Sequence, residues 1–281
     1  MVEHTNFISQ AAKEAYEKQF SESQNLELEK LDFNPLQIYF GDDYKVNNKI
    51  TIHQPKVQDF IDYGEDNINS IIIPFVSNTT SQRVKLWDLG IDWNKISEQQ
   101  LFALLIKSVN IQYSKILFED LDLSSFDLFS LKKGDEEVSI LYSEKMNMEI
   151  TEDDREKMCK YIQYMFNIFP PEPEFTSNKI LKEELVNNDR IKELAKQKDL
   201  QGSVHMGLLS KISFCLNHPG FKYKRDDLRN MGFVEFLDSV QRLQIYESTH
   251  ALLIGANSGF VDTTKINKNE FNFMRDVKVT A

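Results

Sequence analysis

Pro170-Pro171-Glu172-Pro173 constrains this chain more than any other stretch. Prolines packed this closely hold φ near −65° and remove backbone donors, so neither a helix nor an inner strand can run through them. Just upstream, Thr151-Glu152-Asp153-Asp154 is a capping-box pattern with an acidic first turn. It predicts a helix over 151–169 that stops at the prolines. The chain is thereby divided near residue 170.

Upstream of that boundary the spacing of apolar residues changes character several times. Residues 7–31 carry Phe7, Ala11, Ala15, Phe20 and Leu26 at roughly helical spacing among charges, which predicts a protruding helix with a thin apolar stripe. In "LQIYFGDDYKVNNKITIHQP", short alternating runs (Leu36, Ile38, Phe40; Tyr44, Val46; Ile50, Ile52) are joined by Gly-Asp-Asp and Asn-Asn turns. These predict a small antiparallel sheet whose last strand stops at Pro55 and hands over to a helix. From Val57 to Val109 the pattern is helical, with Pro74 kinking or ending one element and Ser97 as an N-cap. Trp87, Leu89, Ile91 and Trp93 alternate tightly; core anchoring outweighs an exposed aromatic binding site for such a set. Residues 115–150 are expected to be strand and loop, with Lys133-Gly134-Asp135 as a turn between two strands.

Downstream, residues 177–199 are charged on most faces with a stripe of Ile180, Leu181, Leu185, Ile191 and Leu194, which predicts an exposed linking helix. The last third predicts a helix over "VHMGLLSKISFCLN", a turn at "HPGFKY", and a long helix that Gly255 could terminate. The expected fold class is α+β, mostly α: a small antiparallel sheet near the N-terminus followed by a helical bundle. Its expected parts are a helical extension (1–35), a sheet-plus-helix domain (36–170), a charged linking helix (171–204) and a C-terminal helical subdomain (205–281).

Charge and cysteine usage narrow the chemistry. The net charge of −11 disfavours binding to nucleic acid phosphates. It is uneven, however: residues 205–281 hold 10 Lys+Arg against 8 Asp+Glu, so an anionic partner would meet that end. Cys159 and Cys215 each sit in a helical apolar pattern, which fits buried free thiols in a reducing compartment. The first residues lack a secretory pattern and no run approaches the ~18 apolar residues of a membrane span, so a cytoplasmic protein without membrane contact is expected.

Tests for catalytic constellations give little. Asp42 and Asp43 in "IYFGDDYKV" could serve as metal-binding carboxylates in a hairpin, but a polar turn explains them as well. Asp120, Asp122 and Ser124 mimic the start of a calcium loop, yet Ser125 and Leu131 stand where glycine and glutamate are needed. The histidines lie on separate segments, and His218 before Pro219 reads as a turn residue rather than a base. In "GFKYKRDDLR" the basic-aromatic alternation that could serve nucleic acid is cancelled by Asp226 and Asp227, which suit a helix start. A non-enzyme without cofactor or metal is expected.

The succession "YKVNNKITIHQPKVQDFIDYGE", "LWDLGIDW", "CLNHPGFKY", "FLDSVQRLQIYES" and "GANSGFVD" resembles proteins of tailed bacteriophages and prophages of Gram-positive hosts, over residues 36–280. The sheet whose last strand runs through a proline into a helix is similar to the start of phage tail assembly chaperones. That resemblance implies a non-catalytic helper in the cytoplasm of the bacterial host that binds tape-measure or tail-tube protein during assembly. Two alternatives are a structural virion adaptor of tail, neck or baseplate, and a metal-dependent enzyme using Asp42 and Asp43. Partner contact is expected from the thin apolar stripes, through Phe7, Phe20, Leu185 and Ile191.

Overall fold

The computed structural model describes residues 32–133, 136–202, 207–259 and 266–276. The expected helix over 7–31, with Phe7 and Phe20, lies outside the described residues. From Pro35 onward the described residues form one compact unit. It is mostly helical with two small antiparallel sheets, as the α+β expectation requires.

The chain enters this unit through α1 (Pro35–Tyr39), where a strand was expected. Alternation over Leu36, Ile38 and Phe40 is too short to tell strand from helix, and Pro35 presets the first helical turn. Ile38 is buried, whereas Leu36 and Phe40 are exposed. Gly41, at φ +78°, then turns the chain into β1 (Tyr44–Lys45), which pairs antiparallel with β2 (Thr51–Ile52). Asn47 closes the connection as anticipated: its side-chain oxygen accepts from the backbone N–H of Lys49 and Ile50 at 2.8 and 2.9 Å.

Beyond Pro55 the chain forms α2 (Val57–Tyr63) and α3 (Glu65–Val76). The strand-to-helix junction is clamped from outside. Val57 donates its N–H to Met231 at 3.1 Å, Phe233 donates to Pro55 at 2.9 Å, and Lys56 bridges Gly232. Ile68, Ile71, Ile72 and Phe75 recur at helical spacing and are buried, and the helix ends two residues after Pro74. Then come α4 (Arg83–Asp88) and α5 (Glu98–Ile106), whose N-cap Ser97 accepts from the Gln100 N–H as its sequence anticipates.

A further correction falls at "KILF". These residues close helix α6 (Ile111–Phe118) rather than opening a strand; Asn110 caps it, and Ser114, Leu117 and Phe118 face the core. The second sheet, order β3-β4-β5, is built from β3 (Asp127–Lys133), β4 (Glu136–Ser143) and a third short strand, β5 (Met148–Ile150).

Helix α7 (Glu152–Phe166) is the spine of the unit. Thr151 and Asp154 form the expected capping box, and Asn167 ends the helix in a left-handed conformation. Its buried face includes Met158, Tyr161, Ile162 and Met165, and Gln163 donates to the Phe75 carbonyl of α3 at 2.8 Å. After the proline segment follow α8 (Lys179–Gly202), α9 (Leu208–Asn217), α10 (Arg225–Asn230) and α11 (Phe233–Asn257). Gly255 lies inside α11; the left-handed residue is Gly259, two positions past the helix end. Phe233 stacks on Phe60 at 4.3 Å and lies 5.3 Å from Phe166, joining α11 to α2 and α7. Cys159 and Cys215 are free and buried. Burial pushes the Cys159 thiol up to about 12, against a partial opposing pull from Arg155.

Candidate docking surface

The proline segment and α8 are bound to α4 and to the loops on both sides of it. Asn78 donates to the Pro171 carbonyl at 2.6 Å, Thr80 accepts from the Glu174 N–H at 2.9 Å, and the Trp93 indole donates to the Glu174 carbonyl at 3.3 Å. Helix α8 then lies along α4. Val186, 1% exposed, enters a cluster with Val84, Leu86, Trp93 and Leu101. Trp87, Ile91 and Leu185 pack on the margin of that cluster, while Leu89 projects into solvent. The core-anchor reading therefore holds for three of these four alternating residues and not for Leu89.

Charges frame this apolar contact. Arg83, buried on α4, reaches Asp189 of α8 at 2.5 Å and Glu174 at 2.6 Å. Burial alone would lower the Arg83 pKa, but the two carboxylates outweigh it and hold the guanidinium above its ordinary value. Asp189 is likewise opposed by burial and drawn below the ordinary carboxylate value by Arg83. Lys182 clasps Asp92 at 2.6 and 2.8 Å and sits 5.6 Å from the Trp93 ring centre; its hydrogen bond is the main cause of a lowered Asp92 pKa. Arg190 pairs with Asp88.

The expected stripe on α8 is thus two faces. At about 100° per residue, Leu185 and Ile191 stand about 120° apart around the axis. Lys182, Leu185, Val186 and Asp189 face the body, while Ile180, Ile191 and Leu194 share the opposite, exposed side. Of the four residues expected to contact a partner, Leu185 packs inward, Ile191 is exposed, and Phe7 and Phe20 lie outside the described residues. The ion-paired inner face, invisible to apolar periodicity, was missed from the sequence. Next to α8, two open clefts of about 720 and 410 Å³ meet at Gly90, Ile91 and Asp92. The larger has an apolar lining of Ile96, Ala103, Leu104 and Leu128 with Lys95 and Lys107 beside it.

The residues singled out for chemistry are engaged otherwise. Asp42 and Asp43 follow a helix rather than capping a hairpin. The Asp42 carbonyl accepts from Tyr161 at 3.1 Å, and Asp43 meets His53 Nδ1 at 2.8 Å. Glu119 approaches the other His53 nitrogen at 3.3 Å, so the imidazole bridges two acids in line instead of converging with them on one point. Asp122 is held by Lys145 and Ser124, at 2.6 Å each. His218 accepts from the Gly220 N–H and meets Glu247 at 2.9 Å, serving as a strut for its turn. Among the described residues, no group of three or more His, Cys, Asp or Glu has the geometry to hold a metal ion, and no helix is long and apolar enough to cross a membrane.

The chain matches no protein-family model, no curated protein and no solved structure.

Proposed function

We propose that this chain is a non-catalytic assembly helper of the tailed-phage kind, which binds tape-measure or tail-tube protein through the outer face of α8 in the cytoplasm of the bacterial host. The observation that carries the docking part is the division of α8 into an ion-paired inner face and an apolar outer one. A helix held rigidly by Arg83 and Lys182 can present Ile180, Ile191 and Leu194 to an apolar groove or helix at little ordering cost. The tail-protein part rests on the resemblance of residues 36–280 to phage and prophage proteins. Of the two residues of the enzyme alternative, Asp43 is ion-paired with His53, while Asp42 offers its backbone carbonyl to Tyr161.

The test is a pull-down of tagged protein from infected or prophage-induced cells, with the same band sought in purified particles. Co-purification of tape-measure or tail-tube protein, and particles free of the band, is the expected result. A fixed stoichiometric amount in particles would instead make the chain a permanent adaptor.

A further inference from the structure

The second sheet ends in an open edge. In the order β3-β4-β5, β3 has a ladder partner on one side only, and it is seven residues long where the opposite edge, β5, has three. The inner face of this sheet is core: Leu141, Ser143, Met148 and Ile150 are buried. The outer face carries exposed aromatic surface. Phe129 is 47% exposed and meets Tyr142 edge-on at 6.2 Å, and Phe129 lies opposite Ile140. Positions Leu131 and Val138 oppose each other one step further along the same face.

We propose that β3 pairs antiparallel with β3 of a second copy, about a two-fold axis through Ser130, to give a continuous six-stranded sheet. The strand sequence Asp127-Leu128-Phe129-Ser130-Leu131-Lys132-Lys133 is self-complementary in that register. Phe129 falls opposite the partner's Leu131 on the outer face, and Asp127 opposite the partner's Lys133, at both ends by symmetry. Moving the centre to Phe129 would set Asp127 against Leu131, and moving it to Leu131 would set Lys133 against Phe129. A one-residue slip would turn the apolar face inward. Asp127 is available for the contact: one carboxylate oxygen holds Lys107 at 2.7 Å, yet the side chain is 68% exposed. Because the pairing uses the long edge of each copy and leaves only the short β5 edges, association closes at the dimer.

The register makes the test specific. In a two-fold antiparallel pair the central residue faces itself at a Cα separation of about 4.5–5.5 Å, within disulfide reach. Under mild oxidation, full-length Ser130→Cys is expected to form a covalent dimer. Asp127→Cys is expected to form none, and the wild-type thiols are buried. Light scattering is expected to give twice the 32.9 kDa chain mass for the wild type. Asp127→Lys places like charges opposite at both ends and is expected to weaken the dimer about tenfold. Adding Lys133→Asp to that chain restores opposite charges and is expected to restore the dimer, which a folding defect would not do. A wild-type monomer at micromolar concentration, or a dimer in which Ser130→Cys fails to cross-link, would overturn the proposal.

Discussion

Helices α7 and α8 are about equally polar on average, yet one is the spine of the unit and the other lies on its flank. In α7, apolar residues recur so that Met158, Tyr161, Ile162 and Met165 fall on one buried face. In α8, the same kind of residue is divided between two sides, and among the side chains described on that helix only Val186 is fully buried. What composition leaves open, spacing decides: a continuous stripe buys a place in the core, while a divided one needs charge pairs to hold the helix and leaves apolar surface over.

The largest expected break in this comparison is Ile162→Ala. Its side chain is fully enclosed, so the truncation should destabilise the unit by about 3 kcal/mol, read as a lowered denaturation midpoint with an unchanged slope. For the seating of α8, the strongest effect is expected not from an apolar residue but from Arg83→Met on α4, which removes the guanidinium from Asp189 and Glu174. It should cost about 2–3 kcal/mol, below the usual loss for a broken buried pair because Glu174 is half exposed. Thermal melts of the two variants would rank them.

Acid should sharpen the contrast. Asp189 and Asp92 have folded pKa values below the ordinary carboxylate value of 3.8. Their contribution is therefore complete above that value and is lost as pH falls through the lower folded values. The difference in melting temperature between wild type and Arg83→Met is expected to narrow below about pH 3.8. A difference that stays unchanged well below that pH would mean that the clamp is not ionic. The smallest stability effect is expected from Ile191→Ser on the outer face, within about 0.5 kcal/mol.

These contrasts also mark how far the sequence could be read. The capping box at Thr151, the Ser97 cap and the Asn47 turn are local devices, carried within four residues, and each stands in the structure as expected, whereas the helix expected over 151–169 ends at Phe166, before the prolines. Leu36–Phe40 was misread because five residues hold less than one and a half helical turns, too few for period 2 and period 3.6 to separate. "KILF" was misread because its helix begins earlier, at Ile111 after the Asn110 cap, and its β-branched residue suits either state. The inner face of α8 was out of reach for a different reason. Arg83 and Asp189 are 106 positions apart, and Lys182 and Asp92 are 90 apart, so nothing local announces their pairing.

The most direct measurement compares capture of tail proteins from infected cells by tagged wild type and by the triple variant Ile180→Ser, Ile191→Ser, Leu194→Ser, after their melts have been shown to coincide. Tape-measure or tail-tube protein identified with the wild type, and reduced at least about tenfold with the variant, is the expected result. Equal capture by both chains, or no tail protein with either, would contradict the assignment of the outer face of α8 as the docking surface.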